Sequence, residues 1–201
     1  MEQELKLALE RPTDLEPLLM ALPEPRAVIR QSNHYLVCED GRTGQARVMV
    51  RLRTEERAER TTACLTLKRR VRSEAGVFLS WELEEPLSLE HAHAVINDGE
   101  NLMEVEHAGT QWLARELEIR SLRLQGSLLN LRHVIDFSGY VLEVDESQFP
   151  DGSVEVEIEI ETEDPEGARS AITQLCAQEG IALFEQTLGK YTRYLQKGGQ
   201  R

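Results

Sequence analysis

From its first residue the chain alternates polar and apolar positions: Met-Glu-Gln-Glu-Leu-Lys-Leu-Ala-Leu-Glu. A period of two is that of a β-strand, whose successive side chains point to opposite faces. Glu2, Glu4, Lys6 and Glu10 share one face, and Leu5, Leu7 and Leu9 the other. The same alternation returns along the chain. In 46–54, Val48, Val50 and Leu52 oppose Arg47, Met49, Arg51 and Arg53. In 62–70, Leu65 and Leu67 oppose Thr66, Lys68 and Arg70, and in 78–84 Leu79, Trp81 and Leu83 oppose Ser80, Glu82 and Glu84. The longest run is 153–162, with Val154, Val156, Ile158 and Ile160 on one face and Glu155, Glu157, Glu159 and Glu161 on the other. Residues 27–38 read as a further strand, 113–125 and 128–135 as two strands around Gly126 (although 113–119 also suits a helix), and another strand follows Gly139, with Val141, Glu143 and Asp145 on one face.

Helices fall between the strands. Thr13 to Glu16 resembles a capping box opening a short helix to Leu22, which Pro23 and Pro25 stop. Ser88 to Gly99 has an N-cap and a glycine stop, and Asp164-Pro165 opens the most regular helix, whose apolar face is Ala168, Ala171, Ile172 and Leu175 and which Gly180 ends. The stretch to Gln111 gives no clear pattern, and the end of the chain, with Lys190, Thr192 and Arg193, reads as strand-like or loop. Many antiparallel strands with interspersed helices predict an α+β protein built on a large sheet or barrel.

Composition narrows the class. At 201 residues, 40% hydrophobic and 29% charged, the chain is long enough for one domain with a substantial core and too apolar for disorder. It has no apolar run of membrane-spanning length and no basic-then-apolar N-terminal leader, and Cys38, Cys64 and Cys176 are too few and too scattered for a disulfide framework or zinc site. The expectation is a cytoplasmic protein with free thiols. A net charge of −13 argues against a basic nucleic-acid surface, so no duplex partner and no membrane partner is expected. His91 and His93 stand two apart on a predicted helix, share no face, and read as surface residues.

What turns pattern into chemistry is the sign of the charged faces. Glutamate occupies the first strand, 78–84 and 153–162, whereas arginine and lysine occupy 46–54 and 62–70. Carboxylates along one face of a strand are about 7 Å apart and repel unless cations sit among them. Such oxygens are hard ligands suited to Mg²⁺ or Mn²⁺. Arginine and lysine across a narrow space would hold polyvalent phosphate, and the two walls together describe phosphoryl transfer.

In this order the residues resemble the CYTH domain of the triphosphate tunnel metalloenzymes, small bacterial branch. The resemblance is carried by Glu2-x-Glu4-x-Lys6, Gln31-x-Asn33-His-Tyr35, Arg51-x-Arg53, Leu65-Thr-Leu-Lys68, Glu82-x-Glu84, Gly126-Ser-Leu…Arg132, Val144-Asp145, the 155–161 run and Gly189-Lys190. It implies an eight-stranded antiparallel β-barrel, the triphosphate tunnel, with flanking helices, as a single domain over 1–195 and a polar tail over 196–201. It implies Glu2, Glu4, Asp145, Glu157 and Glu159 as ligands for Mg²⁺ or Mn²⁺, with the register within 155–161 open, and Lys6, Arg51, Arg53, Lys68, Arg132 and Lys190 as substrate contacts. Lys6, Glu82 and Glu84 are the implied catalytic residues. The implied reaction is attack of metal-activated water on inorganic tripolyphosphate or a small organic triphosphate such as thiamine triphosphate or a nucleoside triphosphate. A polyphosphate- or nucleotide-binding sensor and a class IV-like adenylate cyclase are the alternatives, and a homodimer is compatible with the family. The chain departs from the family at Ser80, where a basic residue is common, and after Tyr35, where Leu36-Val37-Cys38 replaces an acidic pattern.

Overall fold

A computed structural model describes residues 1–199. The strands are β1 (Glu2–Leu9), β2 (Ala27–Val37), β3 (Met49–Arg57), β4 (Arg60–Glu74), β5 (Val77–Leu87), β6 (Arg123–Phe137), β7 (Tyr140–Gln148), β8 (Val154–Glu161) and β9 (Leu183–Glu185). The helices are α1 (Leu15–Ala21), α2 (Arg42–Gln45), α3 (Leu89–Asn97), α4 (Ala108–Glu116), α5 (Pro165–Gln178) and α6 (Lys190–Gln196). The strands are ordered β5-β4-β3-β2-β6-β7-β8-β1, and β1 pairs back on β5. Glu2 opposite Ser80 through Leu5 opposite Val77 makes that seam. The result is a closed antiparallel barrel of eight strands, with β9 added to β1 at Leu7–Leu9. Closure leaves no long strand edge to template aggregation.

The barrel is polar inside and apolar outside, and this explains both faces of every alternating strand. Outward side chains of β1, β7 and β8 (Leu5, Leu7, Leu142, Val144, Ile158 and Ile160) pack under α1 and α5 through Leu18, Ala168 and Ile172. Those of β3, β4 and β5 (Val50, Leu52, Leu65, Leu67 and Leu87) pack under α3 and α4 through Ala92, Val95 and Leu113. Ser88 Oγ accepts from the His91 amide at 3.2 Å to start α3, and Asp164 Oδ1 accepts from the Gly167 amide at 3.0 Å to start α5. Among the described residues no helix is long and apolar enough to cross a membrane.

Three expectations are corrected. Of residues 113–125 only 123–125 are strand, as the start of β6: Ala108–Glu116 is α4, whose Leu113 and neighbours cover the outer face of β4 and β5. Gly126 does not separate two strands. β6 runs through it, with a bulge where Tyr35 and Leu36 of β2 pass Gly126 and Leu124. The chain end is helical at α6, because Lys190, Arg193 and Tyr194, at i, i+3 and i+4, present one face to the barrel interior. That helix ends at Gln196 and Lys197 pairs with Glu155, so the expected polar tail from 196 begins as ordered structure, and residues 200–201 lie outside the described residues.

Gly126 is needed for α6 to dock. A Cβ there would overlap the hydroxyl of Tyr194, whose ring packs tilted against Tyr35 at 4.7 Å between ring centroids. Gly126→Ala is therefore expected to destabilise the protein by about 1–3 kcal/mol, the range for overpacking. Tyr194→Phe in the same background, which removes the clashing oxygen, should recover part of the lost Tm. No recovery in a thermal melt would contradict this packing.

Candidate active site

Inward side chains from all eight barrel strands, with α6, enclose a cavity of ≈ 2060 Å³. Glu2, Glu4, Lys6, Arg51, Arg53, Lys68, Glu82, Glu84, Arg132, Glu159 and Lys190 all line it. Asp145 and Glu157 lie beneath this surface, each almost wholly buried. The thirteen residues singled out in the sequence thus converge on one interior.

They form two acidic groups of different character. The deeper one is Asp145, Glu157 and Glu159, whose oxygens lie within 4.8 Å of one another. Its charges are already matched. Arg132 makes a forked bond to Asp145 at 2.8 and 2.6 Å and reaches Glu159 at 2.8 Å, while also pairing with Glu143. Lys190, delivered by α6, lies 2.6 Å from Asp145 and 2.9 Å from Glu157. Arg193, one turn further along α6, pairs with Glu155 and Glu157, and Lys6 pairs with Glu159. Burial opposes ionisation of Asp145 and Glu159, but Arg132 and Lys190 prevail at Asp145, holding it down at about 2. Lys190, Lys6 and Arg132 hold Glu159 well below the usual carboxylate range.

The shallower group is Glu2, Glu4 and Glu82 around Lys68, whose ammonium lies 2.7, 3.2 and 2.7 Å from the three. Lys6, 3.1 Å from Glu4, is shared with Glu159. Negative charge is in excess here, and the carboxylates show it. Burial, a hydrogen bond with Glu82 and the charge of Glu4 push the Glu2 carboxyl up to about 8, against Lys68. Burial would raise Glu82 too, but its hydrogen bond with Glu2 and the charge of Lys68 hold it down at about 2. Without metal, then, Glu2 keeps a proton at neutral pH that a divalent cation would replace. Carboxylate oxygens crowded in this way fit Mg²⁺ or Mn²⁺.

Glu2 therefore gives a pH signature. Folding raises its value above 4.5, so its contribution to the metal-free protein is fully present below 4.5 and is lost as pH rises through about 8. Between those limits the Tm in chelator is expected to fall more steeply for the natural protein than for Glu2→Gln. Parallel Tm curves for the two proteins would exclude this proton.

Across the cavity guanidiniums stand close together. Arg51 donates to Thr66 Oγ1 at 3.1 Å and lies 3.7 Å from Glu84, yet its buried Nε has no hydrogen-bond partner among the described residues. Arg53 Nε donates to Asn33 Oδ1 at 2.8 Å and its Nη1 lies 3.5 Å from Glu55. Burial and then the charges of Arg51 and Arg132 lower its value, the mark of guanidiniums crowding one another. Asn33 belongs to an interior polar layer that sequence reading missed. Ser147 donates to Asn130 at 2.7 Å, Asn130 to Gln31 at 2.8 Å, and Gln31 to Glu55 at 2.8 Å. Glu143 and Arg193 were also missed as members of the interior. Glu143 shares the face of Asp145 by simple alternation, and Arg193 follows Lys190 at helical spacing, a signal visible only once the segment is known to be a helix.

The comparisons agree with this geometry. The model for the CYTH domain matches residues 1–191. The Hippeastrum protein HpAC1, provisionally called an adenylyl cyclase and described as revealing a dominant triphosphatase activity, superposes with a TM-score of 0.90 at 23% identity, covering 98% of this chain and 96% of that one. A Bacillus halodurans protein provisionally called an adenylate cyclase gives a TM-score of 0.69 at 22% identity, covering 96% and 99%. The PH1819 protein of Pyrococcus horikoshii gives 0.63 at 15%, again covering 96% and 99%. No curated protein matches the chain in sequence.

Proposed function

The chain belongs to the CYTH domain family, and we propose that it is a divalent-metal-dependent phosphohydrolase acting on inorganic tripolyphosphate or a small organic triphosphate. The observation that carries this is the separation of crowded carboxylates from crowded guanidiniums within one cavity. Carboxylate in excess gathers at Glu2, Glu4 and Glu82, while the guanidiniums of Arg51 and Arg53, with one carboxylate each at 3.7 and 3.5 Å, crowd one another. One calls for a cation and the other for a polyanion.

In this reading Glu2, Glu4 and Glu82 hold Mg²⁺ or Mn²⁺, with Glu159 the next donor through its shared contact with Lys6. A divalent ion supplies charge neutralisation at the phosphoryl oxygens and a lowered pKa for water. Arg51 and Arg53 grip the phosphates by their planar forks, and Arg132, fixed by Asp145, presents a third guanidinium beside them. Lys68 and Lys6 sit between the two walls and offset charge that builds on the leaving phosphate. Glu82 and Glu84 stand next to Lys68 and Arg51 respectively, where a carboxylate oxygen can accept a hydrogen bond from the attacking water and orient it. Asp145 and Glu157 hold Lys190 and Arg193 in place, and a further ion could enter their cluster only if Lys190 withdrew.

The test is phosphate release from inorganic tripolyphosphate, thiamine triphosphate and ATP, each with Mg²⁺, Mn²⁺ or chelator. The expected result is metal-dependent release from at least one. Tight binding without release would favour a sensor instead, and cyclic AMP from ATP a cyclase.

A further inference from the structure

Arg26, Arg47, Arg70 and Arg72 also line the cavity without a role in the account above, and of these Arg70 stands next to Lys68. Arg70 lies on the same face of β4 as Lys68, two residues on, towards the end of the barrel where α6 begins. Its guanidinium lies over the ring of Phe78, 4.7 Å from the centroid. Its Nη2 stands 2.7 Å from the place a Cβ on Gly189 would take. Gly189 has φ −65° and ψ 154°, a conformation open to any residue, so what the missing side chain secures is room for the arginine. The cross-strand neighbour of Arg70 on β5 is Ser80, buried and uncharged.

Among the described residues no carboxylate comes within ion-pair distance of Arg70. Lys6, Lys68, Arg132 and Lys190 each contact two or more carboxylates in the same cavity. Arg70 is solvent-exposed at the cavity's rim, flanked on two sides by the Phe78 ring and the Gly189 backbone, so its donors are bound to no acid.

We infer that Arg70 is a further substrate-binding residue, gripping the phosphate of the triphosphate chain that lies nearest α6. The inference rests on the triphosphatase reading above. Lys68 is already enclosed by three carboxylates, so Arg70 is the first cation on β4 whose donors an incoming phosphate can take without displacing an acid. Its role is binding, so ground state and transition state lose it alike.

Two variants remove the same interaction by different routes. Arg70→Ala deletes the guanidinium, and Gly189→Ala leaves the charge but pushes it from its seat. Titration of tripolyphosphate into the metal-free protein should show binding weakened about 10- to 100-fold by Arg70→Ala, the scale of a charge-assisted hydrogen bond. Arg70→Lys should recover part of the loss. Gly189→Ala should weaken binding in the natural background and add nothing to Arg70→Ala. In turnover, KM should rise with kcat little changed, and Arg69→Ala, on the outward face, should match the natural protein in both. If the natural protein binds tripolyphosphate and both variants bind it equally well, the inference is overturned while the triphosphatase reading stands. If the natural protein neither binds nor hydrolyses tripolyphosphate, thiamine triphosphate or ATP, both fall together.

Discussion

Glu4→Gln is expected to lower the metal-dependent kcat/KM for tripolyphosphate by about 10³-fold, since a metal-binding carboxylate supports several kcal/mol of transition-state stabilisation and each 1.36 kcal/mol is tenfold. Glu4 is 8% exposed and stands between the ammonium groups of Lys6 and Lys68, at 3.1 and 3.2 Å. Glutamine keeps its size and one oxygen but removes the charge. The fold should persist, because Lys6 keeps Glu159 while Lys68 keeps Glu2 and Glu82. Initial rates at rising Mg²⁺, with circular dichroism to verify folding, separate the readings. A folded variant of undiminished rate would show that the acidic group is a structural charge cluster and no metal site.

Arg132→Met should have the largest effect on stability. Arg132 is 8% exposed and contacts three carboxylates, Glu143, Asp145 and Glu159. Methionine fills much of the volume and strands those charges in the interior. Breaking a buried ion pair from one side costs about 3–5 kcal/mol. For a chain of this length that corresponds to a drop in Tm of about 6–20 °C. The pH dependence identifies the cause. Asp145 is held down at about 2, against burial, by Arg132 and Lys190, so it contributes stability above 3.8 that is lost as pH falls through about 2. The deficit of Arg132→Met is therefore widest near neutrality and narrows in acid, where the stranded carboxylates take up protons. A constant deficit from neutral to acid pH would point to lost packing instead.

How much of this was legible in the sequence follows from which distances a one-dimensional pattern can carry. Alternation is local, so the two faces of β1, β3, β4, β5 and β8 were readable, and the segregation of sign among them pointed to a shared polar interior. Alternation does not say which face is inside. An ordinary sandwich buries its apolar faces between sheets, whereas here Leu65 and Ile158 face outward under helices and Lys68 and Glu159 face the cavity. Only the order of the motifs, matched to a family, supplied that orientation. The pairings were not legible at all. Lys68 meets Glu2 and Glu4 because β1 closes the barrel on β5, and Lys190 meets Asp145 across 45 residues of sequence because α6 enters the barrel. The helical form of α6 was missed because its stabilising contacts are tertiary, with Lys190 and Arg193 anchored on β7 and β8 and Tyr194 packed on Tyr35. Gly126 misled for a related reason. It reads as a breaker, yet it serves the close approach of Tyr194 within a continuous strand.

The most direct test of the two-walled interior is an anomalous difference map at the manganese edge from crystals grown with Mn²⁺ and tripolyphosphate. The account predicts manganese at Glu2, Glu4 and Glu82, with phosphate density against Arg51, Arg53 and Arg132. Manganese confined to the outer surface, with no phosphate inside the barrel, would contradict it.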